Sequence, residues 1–421
     1  MEKNLLKFRM LIFIIGHNLI SLFSLKMSLE RFIYTLKKQL ILSSLFDDAK
    51  YARVGNKYFV NPFAPYFPGK YFKRMLDNNS VMQYPLKPNY AQISITNVCP
   101  CECFHCHVKN TQDRSLDLSK EKILEAIDDI VEADFLVMFF VGGEPMSRFN
   151  DLVDFVKSAK KNMDTRIFTS GVGVTIERLK ILKEAVLEGF CVSLDHHQED
   201  VHNLQRKNNQ AFKSACFTMT EASKMGFYVS AVCCVTGEMA KSGEYKKVVD
   251  LAENLGAHSI QLNEIRPVGR ANESQNSSIF LTRGDKKSLI DYYRQENKSN
   301  RRIAIVMPWY NEEPEKFGCM ATSGQNVYIN SEGNVQPCVL LNAGIGNINT
   351  NRFKEIWDAF IPLCEHPVRE CIVHTLSDRI NKSKSRLLPP EETLKLWPDF
   401  AKMEPIDLFK KIKVKKSEPK L

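Results

Sequence analysis

Four cysteines fall within eight residues, at Cys99, Cys101, Cys103 and Cys106, in the run Asn97-Val98-Cys99-Pro100-Cys101-Glu102-Cys103-Phe104-His105-Cys106. Thiolates gathered on a tight loop hold zinc or an iron–sulfur cluster. Taken as Cys99, Cys103 and Cys106, the spacing is three residues and then two. Three ligands on one loop leave the fourth iron of a cubane cluster open to bind and reduce a substrate, whereas a structural zinc site is closed by four ligands. Cys101 or His105 would complete a zinc set, so spacing alone leaves both chemistries standing. A later group, Cys319, Cys338, Cys364 and Cys371, offers four more thiols, enough for one further cluster or a zinc ion. The remaining cysteines, Cys191, Cys216, Cys233 and Cys234, sit among apolar residues and read as core packing.

The chain around these residues is long. Its 421 residues are 44% apolar and 25% charged, which excludes a disordered, collagenous or multi-span membrane protein. Twelve cysteines in so long a chain fit reduced metal ligands in a cytoplasmic protein better than a secreted disulfide scaffold. The 58 Lys and Arg against 49 Asp and Glu give +9, too mild to call for nucleic acid. Part of that excess is local, since 409–421 carries six Lys and one Glu.

From Tyr90 onward short β-rich runs alternate with helical patterns. Strands are expected over 90–96, 135–141, 166–169, 190–194, 227–235 and 259–262. Helices are expected over 119–132, 151–160, 176–188, 210–225, 245–255 and 285–295. Such alternation builds a parallel sheet, either open or an incomplete barrel. In these folds the working residues sit in loops at the C-terminal strand ends. The cysteine loop follows the first strand, Gly142-Gly143-Glu144-Pro145 the second and Thr169-Ser170-Gly171 the third. Asp195-His196-His197 follows the fourth, and Arg266-Pro267-Val268-Gly269-Arg270 the sixth. Five unusual loops converge on one rim. His196-His197 tempts a metal reading but lacks further ligands nearby.

Over roughly 90–298 the sequence resembles the radical S-adenosylmethionine (radical SAM) enzymes, whose signature is Cys-x3-Cys-x2-Cys after the first strand of a partial (βα)6 barrel of TIM type. The resemblance implies that Cys99, Cys103 and Cys106 hold a [4Fe-4S] cluster whose open iron takes SAM. In that family, reductive cleavage of SAM yields a 5′-deoxyadenosyl radical that abstracts hydrogen from substrate. Cys101 is a departure from the pattern, either a spare thiol or a shift of register to Cys101, Cys103 and Cys106. By the same resemblance Gly142, Gly143 and Glu144 bind the methionyl amino group, and His105 packs near the adenine. Ser193 contacts the ribose, and Arg206 pairs with the SAM carboxylate through its two-pronged guanidinium. The usual glycines after Asp195 and after the arginine are replaced by His196 and Lys207.

Cys319, Gly333 and Cys338 fit the spacing of the auxiliary-cluster extension called SPASM, or its shorter form, twitch. With only Cys364 and Cys371 left beyond them, this implies one auxiliary [4Fe-4S] cluster on Cys319, Cys338, Cys364 and Cys371. Many enzymes of this combination modify ribosomally made peptides or proteins. That implies a peptide or protein substrate and a reductant such as flavodoxin or ferredoxin; a step in small-molecule or cofactor biosynthesis is the alternative, and a non-catalytic electron carrier the rival of another class.

The expected organisation is a helical region with a hairpin and a Pro- and aromatic-rich strap (1–89), the barrel (90–298), the auxiliary-cluster domain (299–375) and a basic tail (376–421). Near the N-terminus two apolar runs flank Gly16-His17-Asn18. They are too short and interrupted for a spanning helix, and no small-residue cleavage site follows. A packed helix is expected, with a helix lying on the membrane surface as the alternative.

Overall fold

The computed structural model describes residues 2–24, 28–77, 87–108, 113–274, 276–382 and 387–408. The basic segment 409–421 lies outside them. Two helices, α1 (Glu2–Phe23) and α2 (Leu29–Ser44), precede a hairpin of β1 (Ala52–Val54) and β2 (Lys57–Phe59), then α3 (Lys70–Asp77). Ser28 caps α2 by accepting from the Arg31 N–H. The β/α alternation follows: β3 (Tyr90–Ser94), α4 (Lys120–Glu132), β4 (Val137–Val141), α5 (Phe149–Lys160), β5 (Asp164–Thr169), α6 (Ile176–Glu184) and β6 (Gly189–Ser193). Next come α7 (Glu199–Arg206), α8 (Ala211–Lys224), β7 (Tyr228–Val235), α9 (Gly237–Ser242), α10 (Glu244–Asn254), β8 (Ser259–Glu264) and α11 (Arg283–Glu296). Ser119, Thr175, Thr236 and Thr282 each cap a helix through the hydroxyl oxygen, at the boundaries where the apolar period of the helix begins.

The six expected strands pair in parallel in chain order from β3 to β8. The sheet then runs beyond residue 298 at both edges. A seventh parallel strand, β9 (Ala304–Val306), joins β8 and leads into α12 (Pro308–Asn311). On the far side β10 (Asn326–Ile329) lies parallel to β3, with β11 (Asn334–Gln336) and β12 (Gly346–Asn347) antiparallel beyond it. The β10–β11 hairpin is therefore an extension of the barrel sheet itself. Strands β9 and β10 do not pair, so the barrel stays open. Three helices complete the fold: α13 (Phe353–Phe360), α14 (Ile372–Lys382) and α15 (Pro390–Ala401).

Strands covered on both faces read as nearly continuous apolar runs, and Val137–Phe140 are fully buried. On α4 the apolar period turns Ile123, Ala126, Ile127 and Ile130 inward, where each larger side chain contributes about 1.5–3 kcal/mol. The Pro- and aromatic-rich strap closes the N-terminal end of the barrel. Fully buried Arg166 on β5 donates to the carbonyls of Pro62 and Ala64 and lies beside the rings of Phe59, Phe139 and Tyr228. A buried guanidinium requires such partners, and the strap supplies them.

Candidate active site

At the C-terminal end of β3 the chain leaves the sheet into the cysteine loop. The Asp117 carboxylate fixes the exit, accepting from the Thr96 hydroxyl at 2.5 Å and the Asn97 N–H at 2.7 Å. Cys99, Cys101, Cys103 and Cys106 then fold back into one group. The Cys101 thiol is hydrogen-bonded to both Cys99 and Cys103. That bond holds the Cys103 pKa down to about 5, with help from Arg206 and His105, and it also lowers Cys99. Burial pushes Cys106 up to about 11.

Gly142 and Gly143 press against the same loop. Gly143 N–H donates to Thr96 O at 2.7 Å and Glu144 N–H to Val98 O at 2.8 Å. A Cβ on either glycine would collide with the carbonyl oxygens of Thr96 or Val98, so no other residue allows this approach. Glu144 departs from the expectation of direct cofactor contact. It is buried off the cavity, its Oε1 accepting from Thr169 Oγ1 (2.7 Å) and its Oε2 from the Ser170 N–H (2.7 Å) and Oγ (2.6 Å). Burial raises its pKa even so. Its carboxylate joins the second and third loops instead of facing a ligand.

On the fourth loop Arg206 Nη2 donates to Asp195 Oδ2 at 2.6 Å, and Asp195 Oδ1 accepts from the Cys234 N–H at 3.0 Å. Burial alone would raise the Asp195 carboxyl pKa. The Arg206 guanidinium, with His105 and His202, reverses this and holds it well below the usual range. His202, its pKa lowered to about 4 by burial and by Arg206, accepts from the Asp195 N–H through Nδ1. Arg206 Nε and His105 Nδ1 are buried without a hydrogen-bond partner. Buried polar atoms are rarely left so, and both belong to residues that line the cavity beside the thiols.

Ser193, Arg206, His105, Gly142 and Gly143 border one cavity of about 540 Å³ with Cys99, Cys101, Cys103 and Cys106. Cys319, Cys338 and Cys371 line the same cavity. The Cys319 and Cys371 thiols are hydrogen-bonded to one another, which lowers Cys319 and raises Cys371. Arg266 Nη1 donates to Cys371 Sγ at 2.8 Å and its Nη2 to Glu312 Oε2 at 2.7 Å. Cys364 corrects the expected ligand set. It does not line the cavity; its buried thiol stands beside the Trp397 indole and 3.8 Å from Phe360 O. The hydrophobic packing of α13 and α15, not the cysteine spacing, decides its direction.

Glu312 was silent in the sequence, and Cys234 read as core although it lines the cavity. Neither sits in a local pattern. His196 Nδ1 accepts from the Gln198 N–H at 3.1 Å, and the Glu244 carboxylate, which the local sequence does not reveal, stands 3.1 Å from His197 Nδ1 and 3.7 Å from His196 Nε2.

The donor chemistry fits the expected groups: buried thiols in two sets, a glycine cradle, and orphaned Arg206 and His105 nitrogens. The family description "Radical SAM superfamily" matches residues 93–253, and "Iron-sulfur cluster-binding domain" (SPASM) matches 319–367. The chain is 25% identical over 287 residues to an AdoMet-dependent heme synthase of Oleidesulfovibrio alaskensis, covering 62% of this chain and 72% of that protein. It is 22% identical over 284 residues to the antilisterial bacteriocin subtilosin biosynthesis protein AlbA of Bacillus subtilis, covering 66% and 61%. Streptococcus suis SuiB bound to precursor peptide SuiA shares the fold, with TM-score 0.54 and 14% identity over 78% of this chain and 79% of that one. The chain is thus an enzyme that carries a radical SAM domain over residues 93–253, with the [4Fe-4S] and SAM binding that domain implies, followed by a SPASM-type iron–sulfur-binding extension over 319–367.

Proposed function

We propose that the chain matures a peptide or protein by abstracting a hydrogen atom from it. The observation that carries this reading is that the two cysteine sets and Arg206 border a single cavity. When bound, the [4Fe-4S] cluster and SAM supply reductive carbon–sulfur cleavage and a 5′-deoxyadenosyl radical. Cys99, Cys103 and Cys106 are the residues that would hold that cluster; Cys319, Cys338 and Cys371 would hold one auxiliary cluster. Arg206, fixed by Asp195, offers its remaining guanidinium edge to a carboxylate. Gly142 and Gly143 bring backbone to the ligand, while Glu144 holds Ser170 and Thr169 in place behind it. The largely apolar lining of the cavity would limit water around a reactive radical.

A peptide substrate is supported by the subtilosin biosynthesis protein among the relatives and by the precursor peptide bound to SuiB. A reductant of flavodoxin or ferredoxin type in the cytoplasm suits free thiols. A small-molecule substrate is the second reading, favoured by the heme synthase relative and by a cavity within the size range of small-ligand pockets. The test is incubation of reduced, reconstituted protein and SAM with short peptides encoded beside its gene. A mass loss in the peptide, with one 5′-deoxyadenosine formed per event, supports maturation. An unaltered peptide, while a small metabolite from extract is consumed, sinks it.

A further inference from the structure

Nine of the fourteen large apolar side chains exposed among the described residues lie within the first 44 residues. On α1 they are Leu5, Phe8, Ile12, Ile20 and Phe23, each more than half exposed. At 3.6 residues per turn these five fall within an arc of about 120°. Leu29, Ile33 and Leu40 form a narrower stripe on α2, and all three are exposed.

The inner faces of the two helices are already committed. Leu6 and Ile14 of α1 are buried, with Met10 and Phe13 packed beside them, against Phe67, Phe72 and Leu76. Buried Asn18 donates through Nδ2 to Gln39 Oε1 on α2 at 2.7 Å, and His17 Nε2 meets Asp77 of α3 at 2.6 Å. Only 17% of the most apolar window of α1 is buried, yet insertion across a bilayer would strip these polar groups of their partners. The helix is held to the body by one side and left apolar on the other.

Charge identifies what covers that face. Residues 1–44 carry seven Lys and Arg against two Glu; Lys38 is buried and Lys7 pairs with Asp47, while Arg9, Arg31 and Lys37 are exposed. Exposed Arg9 and Lys37 stand in or beside the apolar stripes, and such side chains lay their stems on apolar surface while their heads reach outward. A second copy of this chain would bring a like-charged face against its own, which is unfavourable. An apolar stripe with basic flanks matches an anionic membrane surface, with the helix in the plane of the headgroups.

We propose that the outward face of the α1–α2 hairpin docks the enzyme on an anionic lipid bilayer. The same hairpin lends Met10, Ile14 and Leu42 to the wall of the catalytic cavity, so docking sets that cavity close to the membrane.

The experiment is flotation of the full chain with vesicles of phosphatidylcholine alone, or of phosphatidylcholine with phosphatidylglycerol. The protein floats with the anionic vesicles, and its bound-to-free ratio falls roughly tenfold or more on neutral ones. Replacing Phe8, Ile12 and Phe23 together by Ser changes only exposed positions. This variant loses flotation by a similar factor while keeping its iron content and its circular dichroism. Protein that stays below the anionic vesicles overturns the proposal, as does a variant that floats like the wild type. Light scattering that finds a dimer dissolved by the same variant also overturns it, because a second copy then covers the face.

Discussion

Arg266 donates from Nη1 to the Cys371 sulfur at 2.8 Å, and four residues later Arg270 donates to the carbonyls of both Cys103 (3.2 Å) and Cys106 (2.9 Å). One loop after β8 thus touches both cysteine sets. A cation bonded to a thiolate favours the more negative, reduced state of a cluster that the thiolate holds. Arg266→Gln is therefore expected to lower the auxiliary potential. A loss of about 1 kcal/mol corresponds to roughly 40 mV for one electron. Potentiometric titration followed by electron paramagnetic resonance reads this shift, and an unchanged potential removes Arg266 from the account.

Iron content separates the late cysteines. Cys319→Ala, Cys338→Ala and Cys371→Ala should each lose about four irons per chain after anaerobic reconstitution. Cys364→Ala should keep them and cost only a small packing penalty of about 1 kcal/mol, read from its melting temperature. Iron lost from the Cys364 variant would restore it as a ligand.

Cys101 lies between two thiols that it hydrogen-bonds. With the ligand register at Cys99, Cys103 and Cys106, Cys101→Ala retains the first cluster and its visible absorbance, whereas Cys99→Ala loses both. The reverse pattern would move the register to Cys101.

Removing the Glu144 carboxylate leaves the Thr169 hydroxyl and both Ser170 donors without a strong acceptor. A buried donor left unsatisfied costs about 1–3 kcal/mol. Glu144→Ala should weaken SAM binding by roughly tenfold or more, measured by calorimetry, with iron content unchanged. Equal affinity in the variant would show that the third loop does not depend on it.

The Asp195 carboxyl has a depressed pKa in the folded state, so its stabilisation is present above the ordinary Asp value and is lost as pH falls below it. The melting-temperature gap between wild type and Asp195→Asn should therefore be constant from about pH 8 to 6 and narrow below about pH 5. A gap that widens on acidification contradicts the Asp195–Arg206 assignment.

Much of the barrel was legible because the expected helices carry their own apolar period, some with a Ser or Thr cap, and each strand its apolar run. Ser119 and Ile123–Ile130 mark α4 without help from the rest of the chain. The cysteine loop was legible because its thiols are adjacent in sequence. What escaped depends on distant packing. Helix α7 is one short amphipathic turn pair, and α8, following closely, masks it. Strand β9 is only three residues long and is defined by the edge it joins. Glu144 turned away from the cavity because Ser170 and Thr169, 25 or so residues on, offered better partners. Cys364 turned toward Trp397, which no spacing rule connects to it.

The most direct measurement is the yield of 5′-deoxyadenosine when anaerobically reconstituted protein is mixed with SAM and a strong reductant. Steady formation is predicted, abolished by Cys99→Ala, Cys103→Ala or Cys106→Ala. Absence of the nucleoside from wild-type protein whose iron content and cluster spectrum are intact would contradict the account.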